Sequence, residues 1–296
     1  AKVMWVALDT PVDDEDNADV GYVESQVTKT LPHLEDGTTV VISSQILVGT
    51  TGRLAAVFRD AHPGKLVSFA YLPENLRVGR AIETFKNPDR IVVGIQDERA
   101  REAISKILEP YNRPVLWVSI ESAEMTKHAL NSFLATSVSF INEIAVICEQ
   151  VGADAREVEC ALRSESRIGP KAYLRPGGAF TGETLARDVN FLTTLARDKG
   201  VPAHLLASVL RSNEEHRSWI KRKLAAQFPD LSGKTIAILG LTYKPGTDTL
   251  RRSAAVDLCR WLTKQGARIK AYDPKVKTLP ADLAEVDLAD SDVDCV

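Results

Sequence analysis

Residues 234–273 read KTIAILGLTYKPGTDTLRRSAAVDLCRWLTKQGARIKAYD, and this stretch decides the fold class. Thr235–Gly240 is a short apolar run closed by a glycine. After a polar turn, Ala254–Gln265 carries apolar residues at helical spacing, and Gly266 leads into a second strand pattern, RIKAYD. Strand, helix and strand in so short a span open a β-α-β unit. Upstream, residues 122–227 hold several helical stretches and no convincing strand. Residues 1–120 alternate again. Strand-like runs at Val3–Leu8, Thr38–Ser43, Leu66–Ala70, Arg90–Ile95 and Pro114–Val118 are separated by helical stretches such as Val20–Leu31 and Asp97–Leu108. Such alternation predicts an α/β layer with a mostly parallel sheet. The expected architecture is α/β over 1–120, all-helical over 121–227 and α/β over 228–296, with a linker near Phe228–Gly233.

The ends bear on this reading. A buried-strand pattern starts at residue 3, and the closing DLADSDVDCV stops where a further strand would be expected to begin. We therefore read the sequence as a fragment, with the first α/β domain truncated at its N-terminus and the second at its C-terminus.

Lys and Arg number 37 against 40 Asp and Glu, a net charge of −3 over 296 residues. That balance argues against a nucleic-acid binder, which would carry a basic excess. No uninterrupted apolar run approaches the ~20 residues of a membrane span. Cys148, Cys160, Cys259 and Cys295 lie far apart with no C-x-x-C spacing, so they read as reduced thiols of a cytoplasmic protein. No metal site is expected. The five histidines are scattered and read as surface or packing residues.

None of the 17 glycines forms a G-x-G, so a dinucleotide fingerprint, if the protein has one, lies upstream of Ala1. Gly233-Lys234-Thr235 precedes a strand and lacks the leading glycine of a phosphate loop.

Four segments carry chemical potential. The first is a long helix expected over Ser122–Gln150, with Ser122 as cap and Gly152 as stop. Lys127 and Asn131 share one face of it, and the same stripe continues through Leu134, Val138, Ile141 and Ala145. The pair is either a lysine snorkelling at a helix start or a desolvated ammonium beside an amide, able to hold an oxyanion or water. The second segment, Tyr71 to Gly79, follows a strand directly. Glu74 there is either a base facing a ligand crevice or a solvated loop residue. The third holds Arg167-Ile168-Gly169 and then Arg175 to Asp188, a Pro/Gly-rich loop entering a helix. It suits anion or sugar binding through backbone N–H groups, or is an ordinary interhelical connection. The fourth, Gly240 to Asp248 with Arg251, places Lys244 and an arginine at the mouth of the second α/β domain, where they fit a diphosphate.

In this order and spacing the segments resemble the UDP-glucose/GDP-mannose dehydrogenase family, from Thr10-Pro11 to Ala271-Tyr272-Asp273-Pro274. The resemblance implies two Rossmann-like domains, the first for NAD and the second for the nucleotide diphosphate. A central helical domain between them would form the core of a homodimer or higher oligomer. It implies oxidation of the C6 alcohol of a nucleotide-diphosphate sugar to a carboxylate, through an adduct on a cysteine. By the same resemblance Glu74 matches a glutamate assisting water, and Lys127 and Asn131 match the A-E-x-x-K-x-x-x-N pair. Asp188 matches the aspartate that works beside the lysine. Arg167, Arg175, Gly177 and Phe180 match sugar-nucleotide contacts, in the version typical of GDP-mannose dehydrogenases, and Tyr243 and Lys244 match the aromatic–lysine pair. Thr10, Pro11, Ser44 and Arg251 fall on the cofactor side.

Three departures cluster around the reacting atoms. Thr184 stands where the resemblance places the nucleophilic cysteine, Val78 replaces a second glutamate, and Ser44-Gln45-Ile46-Leu47 replaces S-T-V-P. A threonine hydroxyl stays protonated where a thiol ionises, so it is a poor partner for an acyl-enzyme. Three readings follow: an oxidoreductase that stops at the aldehyde level, a catalytically silent nucleotide-sugar binder or regulatory homologue, and a decayed fragment without activity.

Overall fold

The computed structural model describes residues 1–11, 19–74, 76, 80–181, 184–244 and 246–296. They fall into two compact units, Ala1–Phe133 with Arg187–Val201, and Leu134–Ala186 with Pro202–Val296.

In chain order the first unit holds β1 (Val3–Val6), α1 (Val20–Thr30), β2 (Thr39–Ile42), α2 (Thr50–Ala61), β3 (Ser68–Tyr71), α3 (Ala81–Lys86), β4 (Ile91–Ile95), α4 (Glu98–Leu108) and β5 (Val115–Val118). The strands form one sheet in the order β1-β2-β3-β4-β5. Pairing is parallel except between β3 and β4, where Ala70 faces Ile95 and Tyr71 faces Gly94 antiparallel. Both faces are covered, so β2 is buried along its whole length. Val40 and Ile42 point to one face, among Val23, Leu54 and Phe58, while Val41 points to the other, among Ala100, Ile104 and Leu108. Asp97, expected inside its helix, is instead the cap of α4. Its carboxylate accepts from Ala100 N and from Ser68 Oγ, which ties the helix to β3.

The long helix α5 (Ile120–Val151) begins in the first unit and ends in the second. Its start lies hard against β4: a Cβ on Gly94 would come within 2.7 Å of both Ala123 Cβ and Ile120 Cα. The expected cap is corrected. Ser122 lies inside the helix, and Ser119 Oγ accepts from Ser122 N at 3.2 Å. Gly152, with φ 75°, takes the left-handed conformation just past the last turn. By length and composition α5 would suffice to cross a membrane, with mean hydropathy 1.4 over its most apolar window. Its first turns are held inside the first unit, where Glu124, Lys127, His128 and Asn131 are buried and in polar contact.

After α6 (Ala155–Ser164), α7 (Leu185–Asp198) falls in the first unit from Arg187 onward. The second unit continues with α8 (His204–Arg217), α9 (Trp219–Gln227), β6 (Thr235–Leu239), α10 (Ala254–Lys264), β7 (Arg268–Tyr272), β8 (Asp287–Leu288) and α11 (Asp292–Cys295). Its sheet is parallel in the order β6-β7-β8 and packs on Val256, Cys259 and Leu262 of α10. The third strand therefore lies within DLADSDVDCV, earlier than expected. Asp273 after β7 accepts from Leu241 N, Thr242 N and Lys275 N at 2.8–3.0 Å and shapes the turn after β6.

Candidate functional site

Because β1, β2 and β3 are parallel, the segments leaving them emerge along one edge of the sheet, which is where open α/β sheets take ligands. Thr10 follows β1, Ser43-Ser44-Gln45 follow β2 and Glu74 follows β3. Helix α5 adds Lys127, His128 and Asn131 to this unit, and α7 adds Arg187 and Asp188.

Asp188 is fully buried and serves as the hub. Its Oδ1 accepts from Gln45 Nε2 at 2.6 Å and lies 2.7 Å from His128 Nδ1, while Oδ2 accepts from Asn131 Nδ2. The other ring nitrogen of His128, Nε2, is 3.0 Å from the Ile46 carbonyl. Gln45 is held at three points. Its Oε1 accepts from the Arg187 guanidinium, its Nε2 donates to Asp188, and its backbone carbonyl accepts from Thr10 Oγ1 at 2.7 Å.

Lys127 is only 5% exposed, so its ammonium does not snorkel into water. Its Nζ donates to the backbone carbonyl of Glu74 and to Glu74 Oε1, and Glu74 Oε2 accepts from Leu76 N at 2.8 Å. Lys127 and Asn131, one turn apart, thus engage two different carboxylates. Tyr71, at the end of β3, is buried beside them. Burial, and then the negative field of Glu124, Asp188 and Glu74, pushes its phenol far above the ordinary tyrosine range, so it is a permanent donor. Glu124 accepts from Gly49 N and Thr51 N and caps α2. Ser44 Oγ is buried without a hydrogen-bond partner among the described residues. An orphaned hydroxyl at the carboxyl edge of a parallel sheet is what a polar ligand atom satisfies.

The second unit carries the remaining candidates. Gly177 N donates to Asn142 Oδ1 at 3.0 Å, and the Gly177 carbonyl is 2.8 Å from His216 Nε2. Phe180 is buried, with both its backbone groups bonded to the Asn213 side chain at 2.9 and 2.8 Å. Asn142 on α5 and Asn213 and His216 on α8 therefore shape the loop holding Arg175, which is exposed. Arg167 is exposed and paired with Glu165 at 2.9 Å. Thr184 is exposed at the turn before α7. Tyr243 and Lys244 follow β6 and Arg251 is exposed before α10, while Val78, Gly182, Glu183 and Pro245 lie outside the described residues. Cys148, Cys259 and Cys295 are buried and Cys160 is exposed. Burial pushes the Cys259 thiol up to about 11. Among the described residues no group of acidic, histidine or cysteine side chains is placed to hold a metal.

Sequence reasoning missed His128, Gln45, Asn142, Asn213 and His216 as site-builders. Asn142 gave one faint signal, a polar residue next to Ile141 on an otherwise apolar stripe.

Residues 1–112 match the UDP-glucose/GDP-mannose dehydrogenase family's NAD binding domain, residues 121–215 its central domain and residues 237–296 its UDP binding domain. The UDP-glucose 6-dehydrogenase AglM of Haloferax volcanii is 34% identical over 99% of this chain and 70% of its own length. The chain belongs to the UDP-glucose/GDP-mannose dehydrogenase family. Another family relative, the UDP-glucose 6-dehydrogenase TuaD of Bacillus subtilis (strain 168), is 37% identical over 92% of this chain. The chain spans 59% of the length of TuaD. A solved family structure, a UDP-glucose dehydrogenase from the hyperthermophilic archaeon Pyrobaculum islandicum, superposes with a TM-score of 0.82 at 32% identity. That match covers 92% of this chain and 64% of the other. The α/β architecture with an NAD-type first domain and a helical centre is thus that of the family, whose cofactor is NAD.

Proposed function

We propose that this chain is the larger part of an NAD-dependent oxidoreductase acting on the C6 alcohol of a nucleotide-diphosphate sugar of the UDP-glucose or GDP-mannose type. The observation that carries the reading is the pair of clusters, half-buried Lys127–Glu74 and buried Asn131–Asp188, in the first unit, whose sheet matches the NAD binding domain. The unpartnered Ser44 hydroxyl fits a polar atom of the dinucleotide, and Thr10, Pro11 and Arg251 are its further contacts. When bound, NAD supplies the hydride acceptor.

The chain's own groups do the rest. Lys127 and Asn131 hold the C6 oxygen as it gives up its proton, an ammonium and an amide that stabilise alkoxide character. Glu74, with one carboxylate oxygen on Lys127, accepts a proton directly or through one water. In the second unit, taken by itself, the family resemblance assigns Arg167, Arg175, Gly177 and Phe180 to the sugar nucleotide, with Tyr243 and Lys244 on the nucleotide. Thr184 offers a hydroxyl in place of a thiolate, so no acyl-enzyme forms. The product is the aldehyde, or its hydrate when water adds to the carbonyl.

Three further assignments belong to this reading. The division into 1–120, 121–227 and 228–296 is supported by the family-domain matches. The protein is cytoplasmic, supported by its free cysteines. It is a homodimer joined along α5, where Phe133, Phe140, Ile147 and Val151 are exposed at intervals of seven and four.

The test is absorbance in the NADH band with full-length protein, NAD and either UDP-glucose or GDP-mannose. Growth of the signal with one donor supports the reading. Tight binding of a donor with no NADH signal replaces it with a silent nucleotide-sugar binder.

A further inference from the structure

The proton arithmetic around Asp188 assigns a role to two residues that the sequence pattern does not. The Ile46 carbonyl can only accept, so His128 Nε2, 3.0 Å away, must donate to it. Asp188 Oδ1 is 2.7 Å from Nδ1 and already accepts from Gln45 Nε2. The orientation of the Gln45 amide is set by Arg187, whose guanidinium has only donors and so selects Oε1. With Asp188 ionised, Nδ1 must donate as well. The geometry then places a donor hydrogen on each ring nitrogen, one toward the Ile46 carbonyl and one toward Asp188. His128 and Asp188 are at most 1% exposed, and the ring of Phe191 packs on the imidazole in T-shaped geometry with centroids 5.1 Å apart. Because Nε2 ends on a carbonyl, His128 cannot pass a proton onward, which excludes a shuttle.

We propose that His128 and Gln45 are positioning residues. Donating to Asp188 Oδ1 from two sides, they commit that oxygen and hold the carboxylate with Oδ2 on Asn131, so that the Asn131 amide is fixed where it meets the C6 oxygen. The inference rests on the dehydrogenase reading of the same site. It makes Asp188 an electrostatic anchor and leaves proton acceptance to Glu74 beside Lys127.

Two substitutions separate positioning from packing, because each keeps one of the two histidine bonds. An asparagine amide reaches the place of Nδ1 and a glutamine amide the place of Nε2. His128→Asn keeps the bond to Asp188, whereas His128→Gln keeps only the bond to Ile46. In full-length protein with NAD and sugar nucleotide, H128N should stay within a few-fold of the parent kcat. H128Q should fall on the order of 100-fold in kcat with little change in KM, as expected when a reacting group is misplaced. Equal losses in the two variants, or a loss confined to KM, would overturn the proposal.

A second readout needs no turnover. In 15N-histidine-labelled protein at neutral pH, the His128 ring, identified by its absence from H128N, should show a bonded hydrogen on both nitrogens. One bare nitrogen would also overturn it. Absence of NADH formation by the unsubstituted protein would instead count against the functional reading, while the nitrogen signals still decide the state of His128.

Discussion

At the scale of single residues, the chemistry lies in groups that burial has stripped of water. Asn131 is 8% exposed and its amide donates to Asp188, so Asn131→Ala removes a preorganised donor and opens one oxygen of a buried carboxylate. We expect kcat to fall about 100-fold or more with KM for the sugar nucleotide nearly unchanged, as measured by steady-state NADH formation. Asp273 gives a prediction in pH. Burial acts to raise its carboxyl, but the N–H groups of Lys275, Leu241 and Thr242 outweigh that and hold it below the usual carboxylate range. A depressed folded-state value stabilises fully above the unfolded value of about 3.9 and is lost as pH falls through the folded one. Asp273→Asn should therefore cost about 1–3 kcal/mol at neutral pH in denaturant unfolding, with the cost shrinking as acid protonates the carboxyl. The residue scale is also where the sequence was hardest to read. Lys127 and Asn131 were legible as a pair because the α-helical repeat puts four-apart residues on one face. His128 gave no signal, since a lone histidine has no spacing to test, and Gln45 meets Asp188 across 143 residues, a separation that leaves no local pattern.

Among the elements, the helix start beside β4 is the most informative. Gly94 admits the first turn of α5 at a distance no side chain permits, so Gly94→Ala should destabilise the protein by about 1–3 kcal/mol through overpacking, read from the unfolding midpoint. The cap gives a paired prediction: Ser119→Ala should cost about 1 kcal/mol, and Ser122→Ala, inside the helix, much less. The sequence pointed to Ser122 because both serines precede the apolar stripe, and only backbone geometry separates them. Strand positions were legible because β-branched runs between helices have few alternatives. The direction of β4 was not, since pairing direction depends on the path of the chain between strands. The proposed homodimer predicts that Phe140→Glu, which puts a charge among the exposed apolar side chains of α5, gives a monomer in analytical ultracentrifugation where the unsubstituted protein gives a dimer.

For the molecule as a whole, three family domains follow one another along a chain whose α/β, helical and α/β composition was visible at the outset. The order of motifs carried the family, and no single motif would have. What the motifs did not carry is how Asp188, Lys127 and Glu74 divide their partners, because that depends on hydrogen bonds between distant segments. The central claim is that hydride chemistry persists in a site where a threonine stands at the nucleophile position. The most direct measurement is the molar ratio of NADH formed to sugar nucleotide consumed by the full-length protein, with the product identified by mass spectrometry. One NADH per sugar, with the aldehyde or its hydrate as product, is the predicted result. Two NADH per sugar and a uronate would contradict it.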